Sequence, residues 1–356
     1  MSNGLLTKYP DLRALLEQRL QQAAIENPHM ETNPVRTIDD WCAFVERFAH
    51  LMPWQTMDIG EDASFFRRID QNIGYFYFLL GDLQYEPRIA YWLKAYNIAW
   101  GEWLNSPESW NEDYYQLALS DPLFELQTDR YESPDNWHSW NDFFARKLRK
   151  SYINKNRTSI VHRTSLNRTF ISPCDGVITS APVKTATISN WLDLLGDSPY
   201  RDTFVGGDTF HIVLDVVDYH RFHMPCDGTV LECTTIQGIH AGGGEIIWDE
   251  AENRYRYKQC GVTDFQMLET RGVLVLDTPA FGKIALIPVG VQQVSSVLWT
   301  FDNHQSPITN HQLTQGTELG SFLFGGSDVV LFFEPGRAPQ ITPKSVKVGN
   351  PLIENR

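Results

Sequence analysis

The chain has 356 residues, 42% of them apolar and 13% aromatic, which is enough material to bury and excludes a mostly disordered chain. Its length suggests about two domains. Lys and Arg number 30 against 44 Asp and Glu, a formal charge of −14. That balance argues against a nucleic-acid binder and against adsorption to anionic lipid, because both rest on cationic side chains meeting phosphate. No basic stretch followed by an apolar run opens the chain, so no secretory signal is expected. The densest apolar run, Gly74 to Leu80, is too short to span a bilayer. Five cysteines (Cys42, Cys174, Cys226, Cys233, Cys260) are scattered and never in a CxxC pair. They argue against a disulfide framework or structural zinc, leaving no metal site expected and a cytoplasmic location as the expectation.

In chain order, Pro10 and Asp11 open a helix with Leu12, Leu15, Leu16, Leu20 and Ala23 on one face. Thr37 and Asp40 form a capping box ahead of Ile38, Trp41, Val45 and Phe48. Helices follow from Ser64 to Leu80 and from Pro87 to Leu104. The aromatics of this half (Trp54, Phe65, Phe66, Tyr75, Phe76, Tyr91, Trp92, Trp100, Trp103) read as core or inter-domain packing. Tyr131 to Trp137 is a connector, and Ser139 with Asp142 caps a short helix carrying Phe143, Phe144, Arg146 and Leu148. After about Asn156 short apolar and β-branched runs alternate with Gly, Pro and Asp turns: Gly176–Thr179, Phe210–Val217, Gly228–Cys233, Gly272–Leu276, Lys283–Val291 and Ser327–Phe333. That texture predicts an antiparallel β domain with little helix beyond Ser189–Leu195, and a boundary near residues 135 to 155.

Three segments of the β half can carry chemistry. Ser172-Pro-Cys-Asp-Gly places Asp175 in a tight turn. Asp218-Tyr-His-Arg-Phe-His-Met-Pro-Cys-Asp-Gly follows an apolar strand and offers His220 and His223, better spaced for proton transfer than for holding a metal. Gly325-Gly-Ser-Asp carries Ser327 just before an apolar strand. Taken singly, each is more simply a turn or bulge. Asp227 and Asp215 read as turn and strand-surface residues, and Gly242-Gly-Gly-Glu as a loop beside His240 that lacks the rest of a phosphate-binding motif.

In their joint order these segments resemble the phosphatidylserine decarboxylase family of pyruvoyl enzymes. Phe143-Phe-Ala-Arg-Lys-Leu and Leu276-Asp-Thr-Pro-Ala-Phe-Gly-Lys-Ile-Ala match further family segments, so the resemblance covers roughly residues 137 to 350. It implies an α+β fold, with a helical N-terminal domain over 1–136 and a β-rich catalytic domain over 137–356. A serine is a weak nucleophile until an oriented base takes its proton, and Asp175, His223 and Ser327 supply acid, base and nucleophile in that order. The resemblance implies self-cleavage between Gly326 and Ser327, leaving a pyruvoyl cofactor on residue 327. That group would form a Schiff base with a substrate amine. His220 would then protonate the carbon that has lost CO2. Phe-Gly-Gly-Ser stands where many members have Leu-Gly-Ser-Thr, Asp328 replaces the Thr, and the first helix lacks a strongly basic face. These features look more like the soluble L-tryptophan decarboxylase branch. A free aromatic amino acid is therefore the favoured substrate and phosphatidylserine the alternative, with no nucleic-acid partner. Homodimerisation is an expectation from family analogy alone. A serine hydrolase would use the same trio without cutting its own chain.

Overall fold

A computed structural model describes residues 2–53, 69–152, 169–185, 191–240, 242, 245–258, 265–290, 296–301, 308–324, 327–342 and 344–353. Trp54, Ser64, Phe65, Phe66, Asn156, Ser189, Gly243, Gly244, Cys260, Val291, Gly325 and Gly326 lie outside them.

Among the described residues seven α-helices occupy the first part: α1 (Ser2–Lys8), α2 (Pro10–Glu26), α3 (Ile38–Phe48), α4 (Ile69–Leu80), α5 (Pro87–Leu104), α6 (Glu112–Ser120) and α7 (Trp140–Phe144). Pro10 opens α2, where its missing N–H costs nothing. The stripe on that helix buries Leu12, Leu16, Leu20 and Ala23, whereas Leu15 is left exposed. The capping box is formed: Thr37 Oγ1 accepts from the Asp40 amide and Asp40 Oδ2 from the Thr37 amide. All of α4 except Asp70 is buried, Gln71 and Asn72 included, so this mostly apolar helix runs through the interior. Tyr91 is the exception among the expected packing aromatics, at 79% exposed. The short helix capped by Ser139 stops at Phe144, before Arg146 and Leu148.

Fourteen strands follow among the described residues: β1 (Gly176–Ile178), β2 (Val183–Lys184), β3 (Asp208–Leu214), β4 (Arg221–His223), β5 (Gly228–Ile236), β6 (Glu245–Asp249), β7 (Arg254–Lys258), β8 (Thr270–Thr278), β9 (Gly282–Gly290), β10 (Leu298–Trp299), β11 (Gln312–Leu313), β12 (Glu318–Ser321), β13 (Ser327–Phe333) and β14 (Lys344–Val346). One nine-stranded sheet runs β11-β5-β8-β9-β13-β3-β1-β14, with β2 also on β3; β10-β12-β4 form a second sheet and β6-β7 a hairpin. Every pairing of named strands is antiparallel, as the alternating texture predicts. Strand β3 ends at Leu214 rather than Val217 because Asp218 Oδ2 accepts the Asp215 amide and closes a turn there. In place of a helix to Leu195, Trp191–Leu195 is a 3₁₀ turn.

Strand β13 lies between β9 and β3, and all seven of its residues are buried. Side chains alternate across a strand. Val329, Leu331 and Phe333 join the main core, while Val330 and Phe332 pack on the opposite face with Trp191, Leu194, Leu195 and Phe204. Ser327 and Asp328, first on that strand, therefore look to opposite sides of the sheet.

The main core is one cluster of buried residues, from Leu6 to Leu352 in chain position, and takes members from helices and sheet alike. The β6–β7 hairpin shows how the halves interlock. The Tyr257 hydroxyl accepts from Asn27 (2.9 Å) and donates to the Thr32 carbonyl (2.8 Å), and its backbone pairs with the Gln71 side chain. Only a residue without a Cβ fits beneath it: a Cβ on Gly74 would stand 2.6 Å from that of Tyr257. Among the described residues no helix is long and apolar enough to cross a membrane.

Candidate active site

The turn after β3 and the start of β13 bring His220 to Ser327. Arg146, fully buried, donates to the carbonyls of Val217 (2.7 Å) and Asp218 (3.1 Å) and so fixes that turn. His220 sits at its end, its own carbonyl accepting the Phe322 amide at 2.9 Å. The imidazole Nδ1 lies 3.1 Å from Ser327 Oγ, and Nε2 lies 2.9 Å from the Asp215 carbonyl. A carbonyl only accepts, so Nε2 carries the hydrogen and Nδ1 presents a lone pair to the serine hydroxyl. Burial, with Arg146 adding to it, lowers the His220 pKa to about 3. The ring is thus neutral at physiological pH and able to take a proton at Nδ1. The Phe144 ring stacks on it, 3.7 Å between centroids and 18° from parallel.

His223 is turned elsewhere. Its Nδ1 donates to the Gly316 carbonyl (3.1 Å), leaving Nε2 to accept the Tyr219 hydroxyl at 2.9 Å. Burial holds its pKa below the usual value. Asp175 bonds neither histidine. Its Oδ1 accepts Arg130 Nη2 (2.6 Å) and the Val348 amide (2.8 Å), and Lys347 Nζ is 3.3 Å from Oδ2. Burial pushes the carboxyl up, but the Arg130 charge and hydrogen bond, helped by Lys347, outweigh it and hold the pKa below the ordinary value. Hence the expected trio is not hydrogen-bonded as a unit: the structure joins Ser327 to His220, and sets Asp175 and His223 in neighbouring networks.

Arg130 sits against the Tyr131, Tyr152 and Tyr219 rings, 5.2 to 5.8 Å from their centroids, which ties the Asp175 network to the tyrosine on His223. Arg130 and Lys347 are functional neighbours the sequence does not reveal, since nothing local marks either as the partner of a carboxylate buried far along the chain. Because Arg130 and Asp175 are 4% and 0% exposed, removing one leaves a buried charge. Arg130→Met is therefore expected to cost about 3–5 kcal/mol, reduced by what Lys347 retains, in urea unfolding at neutral pH. Asp215 is exposed just past the end of β3, in keeping with the surface role expected of it, and its backbone carbonyl fixes the His220 tautomer. Asp227 holds its turn by accepting the Gln315 amide. Gly242 lies against the helical half, its amide donating to Gln84 at 2.9 Å, and Tyr77 donates to the His240 carbonyl at 3.0 Å.

A buried serine at a strand start, with a neutral imidazole lone pair on its hydroxyl, is equipped for base-assisted attack on a nearby carbonyl. A family model described as phosphatidylserine decarboxylase matches residues 140–354. The chain is 29% identical over 229 residues to the phosphatidylserine decarboxylase proenzyme of Chlamydia pneumoniae, covering 61% of this chain and 64% of that protein's length. It is 27% identical over 247 residues to the proenzyme of the same name from Fusobacterium nucleatum (65% and 69% covered). It is 26% identical over 307 residues to Decarboxylase iboD of Amanita muscaria, covering 75% and 83%. This last match extends beyond residues 140–354 and so takes in part of the helical half.

Proposed function

The chain belongs to the phosphatidylserine decarboxylase family, and from that premise we propose that it cuts itself between residues 326 and 327 and then releases CO2 from an amino acid. The 3.1 Å contact between His220 Nδ1 and Ser327 Oγ carries the reading. As His220 takes its proton, Ser327 Oγ attacks the carbonyl carbon of residue 326, and the peptide bond gives way to an ester. Elimination then expels the carboxylate of residue 326 and leaves dehydroalanine at 327. Water replaces its nitrogen, which departs as ammonia, and a pyruvoyl group remains on Asp328. The pyruvoyl ketone supplies an electron sink for the pair released as CO2 leaves a bound amine substrate.

The chain's own residues supply the rest. His220 Nδ1 is the atom through which a proton is taken from or returned to position 327, and Asp215 with Phe144 keeps the ring in the tautomer and plane that allow it. Residues 327–356 stay in place after the cut because β13 is held between β9 and β3, and β14 on β1.

The substrate we favour is a free aromatic L-amino acid, taken directly from solution. Support comes from the helical half, which packs an aromatic wall beside the site: Phe324 meets Phe144, Trp100 and Trp140 edge-on. It comes also from the match to Decarboxylase iboD, which reaches into that half. CO2 release by the purified protein, measured with tryptophan, tyrosine and phenylalanine beside phosphatidylserine vesicles, is the test. Turnover of at least one free amino acid more than tenfold above that of the vesicles is expected, and faster release from the vesicles overturns the substrate assignment.

A further inference from the structure

Asp328 is 2% exposed and looks away from Ser327, onto a face made mostly of Trp191, Leu194, Leu195, Val330 and Phe332. A carboxylate there is costly beside a valine of similar size, because a buried charge must be paired. Two side chains pair it: His211 Nδ1 and Gln266 Nε2, each 3.0 Å from Oδ2. The other imidazole nitrogen lies 2.8 Å from Thr179 Oγ1, and Trp191 stands edge-on to the ring. Burial lowers the His211 pKa, but Asp328 more than reverses this, so the two favour an ion pair. Oδ1 is buried with no hydrogen-bond donor among the described residues, which adds to the cost. An apolar side chain would fill this space more cheaply; what the carboxylate adds is direction.

That direction matters at one place in the chain. Before the cut, residue 327 is fixed from both sides by covalent links. Afterwards its one covalent link is to Asp328, at the end of a strand paired with Leu214 and Gly290, where fraying costs least. We infer that Asp328, gripped by His211 and Gln266, is the positioning residue that keeps the new chain end at 327 in register against His220 once the chain is broken. This rests on the self-cleavage proposed above. The grip is redundant in the uncut chain and needed in the cut one.

Amide hydrogen exchange followed by mass spectrometry tests that difference. His211→Ala is made in the self-cleaving protein and in a Ser327→Ala background that stays uncut. In the cut protein, exchange over residues 329–331 is expected to quicken at least tenfold, with kcat falling tenfold or more and KM staying within about twofold. In the uncut background, exchange is expected to change by less than about twofold. His211→Gln, which keeps a donor toward Asp328, is expected to restore most of both losses and guards against a variant that fails to fold. Equal quickening in the two backgrounds, or none in either, overturns the inference while leaving the cleavage reading intact. A wild type that stays in one piece on a denaturing gel overturns the cleavage reading instead, and the inference with it.

Discussion

Ser327→Ala is expected to give one uncut polypeptide with no decarboxylation, where the wild type separates under denaturing conditions into residues 1–326 and 327–356. The loss should be complete rather than partial. The hydroxyl is both the attacking group and the oxygen whose departure with residue 326 creates the dehydroalanine that water turns into the ketone, so no neighbouring side chain can substitute for it. Nor should the variant be lost to misfolding. Removing the hydroxyl leaves His220 Nδ1 without its partner, a cost of about 1–3 kcal/mol. The strand itself keeps both ladders, to Leu214 and to Gly290. Intact mass of the small fragment gives the sharper readout, because a pyruvoyl end is lighter than a serine end. A wild type that stays at full length and still releases CO2 would rule out the scheme. So would a serine-ended fragment, which would point to ordinary hydrolysis.

Much of this arrangement can be read from the chain without a structure, and the portion that cannot has a physical reason. Local signals survive folding: the Thr37 capping box is formed, and the apolar run Ser327–Phe333 is strand from end to end. Both depend on neighbours within a few residues. The hairpin of β6 and β7 went unread although Arg-Tyr-Arg-Tyr-Lys alternates, because its value lies in Tyr257 meeting Asn27, Thr32 and Gln71, more than 180 positions away. The acid–base–nucleophile order selects Asp175, His223 and Ser327 on residue type alone. Order along the chain says nothing about which ring nitrogen faces which oxygen. His220 and His223 are three apart in nearly extended backbone, so their side chains leave on opposite sides and only one can meet Ser327. Asp175 answers to a different constraint, the need of a buried carboxylate for cations, and finds them in Arg130 and Lys347. No motif marks such pairs, since any Arg or Lys could serve.

On that geometry we assign to His220 the base role that the acid–base–nucleophile order gives to His223, and the two variants should separate. His220→Ala removes the base on the serine hydroxyl and is expected to slow self-cleavage by roughly 10²–10⁴-fold, the usual worth of a positioned base. His223→Ala leaves that contact in place and disturbs only the bonds to Tyr219 and Gly316, so cleavage should slow by about tenfold or less. Band intensities against time on a denaturing gel, started by expression in a cell-free system, read both rates. The opposite ranking would return the base role to His223 and show that the contact made by His220 serves only the later protonation. The pH dependence adds an independent check. His220 stays neutral down to about pH 3, so cleavage should hold level from pH 8 to pH 5 instead of failing near 6.5, where a free imidazole gains its proton. The same lowered pKa has a cost. Above about pH 6.5 folded and unfolded rings are both neutral; as pH falls toward 3 only the unfolded ring takes up a proton, and stability drains away across that window. Thermal unfolding of the uncut Ser327→Ala chain should therefore shift downward between pH 7 and pH 4. The shift should shrink when His220→Ala is added, because the group that must stay uncharged in the fold is gone.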